Sequence, residues 1–311
     1  MRVLVLTNMF PSAHKPAYGV FVRDQVEDLR VLGVDVEVLA IPGDETRLNY
    51  ARAVSELRTA LARRPADLVH AHYGLAGAVA LTQRRVPVVT TFHGSDTYIW
   101  WHRAVSWVVA RSSKAIFVSR DRARALGLPH GTVIPCGVDT ARFGPVPPAA
   151  ARQSLGWEES GPVIMFPGAR NVGLKRFDLF ERATDLARRA SPALRTVCLG
   201  DFDRDTIPLV MNAADATLMT SDSEGSPIAV RESLACETPV VSVPVGDVPE
   251  VLDGLPGCAI VSRQPSELAE KLLEALRVGK HPSLRARAEL TARPSIAARL
   301  VSVYDAALAR A

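Results

Sequence analysis

Short, nearly continuous apolar runs recur along this chain, and most are followed by a stretch with helical spacing. In the first half, Val3–Leu6, Val36–Ile41, Leu68–Ala71, Val88–Phe92, Ala115–Val118 and Val133–Pro135 read as buried strands. Val20–Leu32 and Ala51–Arg63 carry apolar residues at helical intervals between them. Strands apolar on both faces, alternating with helices, specify a parallel sheet covered on both sides. The pattern then starts again. Val163–Phe166, Arg195–Leu199, Ala216–Met219, Pro239–Val243 and Cys258–Val261 read as strands, and Asp178–Ala190, Pro208–Ala213, Ser226–Cys236, Pro249–Leu252 and Pro265–Val278 as helices. A chain of 311 residues is long enough for two such domains. The proline-rich stretch Phe143–Trp157 is expected to link them, giving domains over 1–145 and 158–294. Ser295–Ala309 is expected to form a final amphipathic helix. Ligands of open parallel sheets sit at the carboxyl ends of the strands, so functional residues are sought there.

The most informative candidate is Ser221–Val241, SDSEGSPIAVRESLACETPVV. Ser226 suits a helix N-cap and Pro227 the first helical position, whose N–H would be unpaired in any case. On that reading Glu224 lies on the loop at the mouth of the helix, and Glu232 lies within it. Gly225 and the backbone of Ser226, Pro227 and Ile228 form the entry, where helix N–H groups favour an anion. Two carboxylates beside an anion-binding helix start suit a ligand carrying both hydroxyls and phosphate, as a nucleotide-sugar does.

Phe166–Phe177, FPGARNVGLKRF, begins where a strand ends. Its Gly168 permits close backbone approach, and Arg170 and Lys175 are expected to converge on a diphosphate. In TFHGSDT, His93 follows a strand, and Asp96 is expected to cap or orient the loop. Gly19 opens the helix after the first strand, where N–H groups can face a phosphate. His70 and His72, two apart on a strand, could hold a metal, but no third ligand is evident and a structural role is preferred. Asp201 and Asp203 form a DxD pair, discounted because the basic pair offers a metal-free way to offset a diphosphate. Tyr98–Lys114, rich in tryptophan and basic residues, is read as a helix that either packs its apolar face on the sheet or rests at a membrane interface.

The string Glu224, Gly225, Pro227, Glu232, Ala235, Pro239, Val240, Val241 resembles the EGxPxxxxExxAxxxPVV signature of retaining glycosyltransferases of family 4. NMFPS, VHAHYG, HGSD, VIPCGVDTARF and PVVSVPVGDVPE follow in that family's order, so the resemblance covers nearly the whole chain. It is nearest to bacterial enzymes of the teichuronic acid or surface-polysaccharide type. It implies a GT-B fold, α/β, with two Rossmann-like domains facing across a cleft and the last helix, 295–311, returning to the N-terminal, acceptor-binding domain. It further implies that Glu224 and His93 reach the donor sugar, that Glu232 binds the ribose hydroxyls, and that Arg170 and Lys175 neutralise the leaving diphosphate. The glycine loop at Gly19 would approach the donor. Two departures stand out. Ala169 separates Gly168 from Arg170, and Arg176 replaces a glycine. The segment between Gly200 and Asp215 and the loop over Pro42–Leu48 are also short for the family.

The implied activity is transfer from a nucleoside-diphosphate sugar, a UDP- or GDP-sugar first, to a saccharide or lipid-linked hydroxyl, with no cofactor and no metal. A non-catalytic nucleotide-sugar-binding protein of the same fold is the alternative. A dinucleotide oxidoreductase or epimerase is disfavoured by the lack of GxGxxG. The net charge of +4 is too small to point to nucleic acid. Four scattered cysteines form no CxxC pair, which predicts free thiols in a reducing compartment. With no long apolar segment, a cytoplasmic protein is expected, with peripheral contact at the inner membrane face left open.

Overall fold

A computed structural model describes residues 1–16, 18–43, 46–157 and 161–309. Its contacts divide the chain into two compact units. One comprises Met1–Gly137 with Arg293–Ala311, and the other Val138–Ala292.

The first unit runs β1 (Arg2–Thr7), α1 (Val20–Val31), β2 (Asp35–Ala40), α2 (Leu48–Arg63), β3 (Leu68–His72), α3 (Gly74–Ala80), β4 (Val88–Phe92), α4 (Ser95–Tyr98), α5 (Trp100–Ser112), β5 (Lys114–Phe117), α6 (Arg120–Ala125) and β6 (Thr132–Val133). The six strands form a sheet in the order β2-β1-β3-β4-β5-β6, and every pairing is parallel. The helices α3, α4 and α6 add to those expected from the spacing. Alternate residues of β1 serve opposite faces, as the period of a strand requires. Leu4 and Leu6 join Leu57, Leu61, Ala76 and Val79 on one side. Val3 and Val5 join Val22, Val26 and Leu29 on the other.

The second unit runs α7 (Pro148–Ser154), β7 (Val163–Phe166), α8 (Phe177–Ala190), β8 (Arg195–Cys198), α9 (Ile207–Ala213), β9 (Ala216–Met219), α10 (Ile228–Ala235), β10 (Val240–Ser242), α11 (Val248–Leu252), β11 (Ala259–Ile260), α12 (Pro265–Val278) and α13 (Pro282–Glu289). Its sheet is again parallel, in the order β11-β10-β9-β7-β8. The shortened stretch after Gly200 still holds α9, whose Val210 and Met211 are buried. The segment 143–157 is no free linker, because Phe143 is 3% exposed in the core of this unit. Three successive alanines after Pro148 are good helix formers behind a proline at the first helical position, and they produce α7.

The chain then returns. The last helix, α14 (Arg293–Leu308), belongs to the first unit. Its Ile296, Leu300, Val303 and Tyr304 lie on one side of the helix and fill the sheet face that α1 also covers. The short loop expected over 42–48 includes residues 44 and 45, which lie outside the described residues.

Candidate active site

In each sheet the strand order reverses once, and crevices at carboxyl ends beside such a reversal are where open α/β sheets bind ligands. In the second sheet β7 is flanked by β8 on one side and β9 on the other. The loops leaving β7 and β9 therefore emerge as neighbours. The first carries Gly168, Arg170 and Lys175, and the second carries Glu224 and Gly225. Lys175 Nζ meets Glu224 Oε1 at 2.6 Å. Two residues 49 apart in sequence thus form one site. Both side chains are largely covered, at 26% and 14% exposure, so the pair is less screened than a surface ion pair.

The expected convergence of Arg170 with Lys175 is not what the structure places there. Arg170 turns the other way, with Nη2 on Asp201 Oδ2 at 2.7 Å and Nε donating to Cys198 Sγ at 3.1 Å. Each cation is held by the nearest carboxylate on its own side of β7. Asp201, the first residue of the DxD, is thereby taken by an arginine, and Asp203 accepts the backbone N–H groups of Asp205 and Thr206. Among the described residues no cluster of acids, histidines or cysteines has the geometry for a metal. Gly168 sits at the root of the loop, its N–H bonded to Phe166 and its carbonyl to Gly200.

Arg176 occupies a left-handed conformation, φ 54, at the start of α8. That conformation explains why a glycine suits this position in the resembled family. Here an arginine is held in it by Asp178, at 2.8 Å through two nitrogens, and by Asp222 at 3.1 Å.

The helix start after Glu224 also differs from expectation. Ser226 is not its cap. The cap position falls on Pro227, and α10 begins at Ile228, with Glu232 half-buried four residues further on. Ser226 Oγ instead donates to Asp247 Oδ2 at 3.0 Å. The same carboxylate pairs with Arg231, whose side chain is 2% exposed. No local pattern announces this network, because Asp247 arrives from the loop after β10. Gly246 in that loop lies at φ 53, and a Cβ there would stand 2.4 Å from the Gly225 carbonyl oxygen. The backbone of 224–225 is thus backed directly by another backbone, which fixes where the Glu224 carboxylate is presented.

The first sheet reverses between β1 and β3. His72 ends β3 and His93 follows β4, and their rings join through Nδ1 and Nε2 at 2.9 Å. Phe21 and Tyr73 flank His93, with ring centroids at 4.9 and 4.8 Å. Burial lowers the basicity of both histidines, that of His72 to about 3, so the pair is neutral at ordinary pH. One ring donates and the other accepts. His70 is structural, bonded to Thr91 Oγ1 at 2.8 Å and to the Tyr304 hydroxyl at 2.7 Å. As expected, Asp96 caps its loop by accepting from the N–H groups of His93 and Gly94. Its burial raises the carboxyl to about 6, opposed by those same bonds. Sequence reading missed Tyr73, which holds φ 73 directly after His72, a strained conformation of the sort that gathers at functional sites.

Gly19 caps α1 at φ 71, and a Cβ would fall 2.3 Å from the carbonyl carbon of Met9. Gly19→Ala combines a left-handed alanine with a backbone clash. It is expected to cost about 2 kcal/mol or more, read as a lowered urea midpoint. An unchanged midpoint would show that the 9–19 loop shifts freely.

With this geometry in view, comparison with known proteins places the chain. The profile described as Glycosyltransferase Family 4 matches residues 1–142, and that described as Glycosyl transferases group 1 matches 162–277. The chain belongs to glycosyltransferase family 4. Bacillus subtilis TuaC, a glycosyltransferase named for teichuronic acid biosynthesis, is 25% identical over 88% of this chain and 88% of its own. A D-inositol 3-phosphate glycosyltransferase of Mycolicibacterium gilvum is 30% identical over 67% of this chain and 58% of its own length. Among solved structures, a sucrose-phosphate synthase from Thermosynechococcus elongatus superposes with a TM-score of 0.83 at 18% identity, covering 100% of this chain and 99% of that one. Anabaena HepE in complex with UDP superposes with a TM-score of 0.72 at 17% identity, over 98% and 100%. These likenesses establish the GT-B fold of this family 4 glycosyltransferase.

Proposed function

We propose that this glycosyltransferase moves a hexose-type sugar from a nucleoside-diphosphate sugar to a hydroxyl acceptor, with retention at the anomeric carbon. The observation that carries the reading is the Lys175–Glu224 pair at the strand-order reversal of the second sheet, with Glu232 following on α10. Glu232 takes the ribose hydroxyls. Gly225 and the backbone from Ser226 to Ile228, with Gly168 opposite, line the nucleotide and its phosphates. Lys175 offsets charge on the departing diphosphate, an electrostatic contribution of the size that dominates many enzymatic barriers. Arg170 joins it by leaving Asp201, an exposed pair that water screens and that parts readily. Glu224 and His93 position the sugar, and the backbone at Gly19 approaches the donor.

TuaC's name supports a role in cell-surface polysaccharide or glycolipid synthesis, with a saccharide or lipid-linked acceptor. HepE's complexes with UDP and UDP-glucose favour a UDP-sugar over a GDP-sugar. No helix among the described residues is long and apolar enough to cross a membrane. We place the reaction in the cytoplasm, where nucleotide-sugars are made.

Calorimetric titration of UDP, GDP, ADP and dTDP tests this. One of the four is expected to bind selectively, and Glu232→Ala to weaken it by about tenfold to a hundredfold, the worth of charge-assisted hydrogen bonds to a diol. Binding of none, alone or as the intact nucleotide-sugar, would overturn the reading.

A further inference from the structure

The helix α5 does pack on the sheet, but not through its tryptophans. Small residues, Ser106, Val109 and Ala110, face inward against α3, where glycines allow close approach. Trp100, Ala104, Trp107 and Arg111 fall at successive turns along the opposite side. Trp100 is 81% exposed and Trp107 50%, with Val108 and Tyr98 exposed beside them. An ordinary surface helix turns its charged side outward, and this one turns out its largest apolar groups.

Cations predominate around this helix, with Asp121 on α6 and Asp305 on α14 the exposed acids nearest in sequence to its basic residues and to the basin floor. From Thr82 to Arg120 the chain carries six cations, Arg84, Arg85, Arg103, Arg111, Lys114 and Arg120, against a single acid, Asp96. Asp96 is 2% exposed and occupied with backbone N–H groups. Beyond the helix lies an open basin of about 560 Å³, walled by Arg84, Arg85, Arg111 and Lys114 and floored by Ala306 and Ala307 of α14. Arg111 joins the two features, since its guanidinium also stacks on Trp107 at 4.0 Å. The basin opens where β4 and β5 begin, the sheet edge opposite to His72 and His93. A nucleotide binding at the carboxyl ends therefore cannot account for it.

We propose that this face docks on an anionic lipid surface. Tryptophan and tyrosine would enter the headgroup layer, and the four basin cations would bind lipid phosphates. Charge complementarity selects this occupant, because an exposed aromatic row beside a basin walled by four cations suits a boundary that is apolar on one side and negative on the other. A soluble polyanion would use the cations but leave the aromatic row unexplained.

The test is sedimentation of the full chain with vesicles of phosphatidylcholine alone or mixed with phosphatidylglycerol, read together with tryptophan emission. It needs neither donor nor acceptor, so its result is independent of the transferase reading. Binding to the mixed vesicles with a blue shift is expected, and little to the neutral ones. Arg84→Gln with Arg85→Gln should weaken it about thirtyfold, at roughly a tenfold step for each 1.4 kcal/mol. Trp100→Ser with Trp107→Ser should weaken it about tenfold or more and abolish the blue shift. These side chains are exposed, and unchanged circular dichroism confirms folding. Equal binding to neutral vesicles, binding unaffected by either pair of changes, or association with heparin but not with vesicles would each overturn the proposal.

Discussion

Replacing Lys175 by methionine is expected to lower sugar transfer about a thousandfold, comparable to removing one preorganised charge-stabilising group from an active site. The substitution keeps the length and packing of the stem and removes the ammonium. Stability should fall by about 1–3 kcal/mol, because Glu224, 14% exposed, is left largely covered without its counter-charge. Two explanations of a lost rate must be separated. If Lys175 only holds Glu224 in place, Glu224→Gln should cost as much, and the double variant no more than either single one. If the ammonium acts on the departing diphosphate, Lys175→Met should still cost most of its thousandfold in the Glu224→Gln background. Measuring kcat/KM and kcat across the four proteins decides it. A Lys175→Met enzyme with wild-type turnover would remove this residue from the chemistry.

Asp247→Ala carries the second large effect, and it falls on stability. Arg231 is 2% exposed, and its Nε and Nη1 already lack hydrogen-bond partners among the described residues. Removing Asp247 leaves a buried guanidinium without its counter-charge, which costs about 3–5 kcal/mol. It also removes the carboxylate that accepts from Ser226 Oγ at the entry to α10. A urea titration following the second unit should show the midpoint fall accordingly. Replacing both partners with apolar residues, Arg231→Met with Asp247→Leu, should recover most of the loss, since the desolvation of two ions then disappears as well. A single-variant loss below about 1 kcal/mol would mean that water reaches the pair and would refute its role as a buried anchor.

Much of this protein could be read from its residues alone. The periodicity of apolar residues placed nearly every strand to within one or two positions, because a strand buried on both faces tolerates few polar side chains. The spacing of Glu224, Pro227 and Glu232 marked the family. Asp96 as a loop cap was legible, since its partners lie two and three residues away. What the residues did not show was contact across the fold. Sequence spacing brought Arg170 and Lys175 together, but the chain leaves β7 so that one faces Asp201 and the other Glu224. The proline-rich stretch at 143–157 resembled a linker because composition does not record that Phe143 has a core to enter.

The sequence by itself determined where strands, turns and candidate side chains fall, because those depend on interactions within a few residues. The tertiary structure alone decided which charges meet. The order of strands in each sheet sets which loops become neighbours, and no local pattern encodes that order. It placed Lys175 against Glu224 across 49 positions and Arg231 under Asp247. It also turned Trp100 and Trp107 of α5 outward, because the inward space beside Gly74 and Gly77 admits only small side chains.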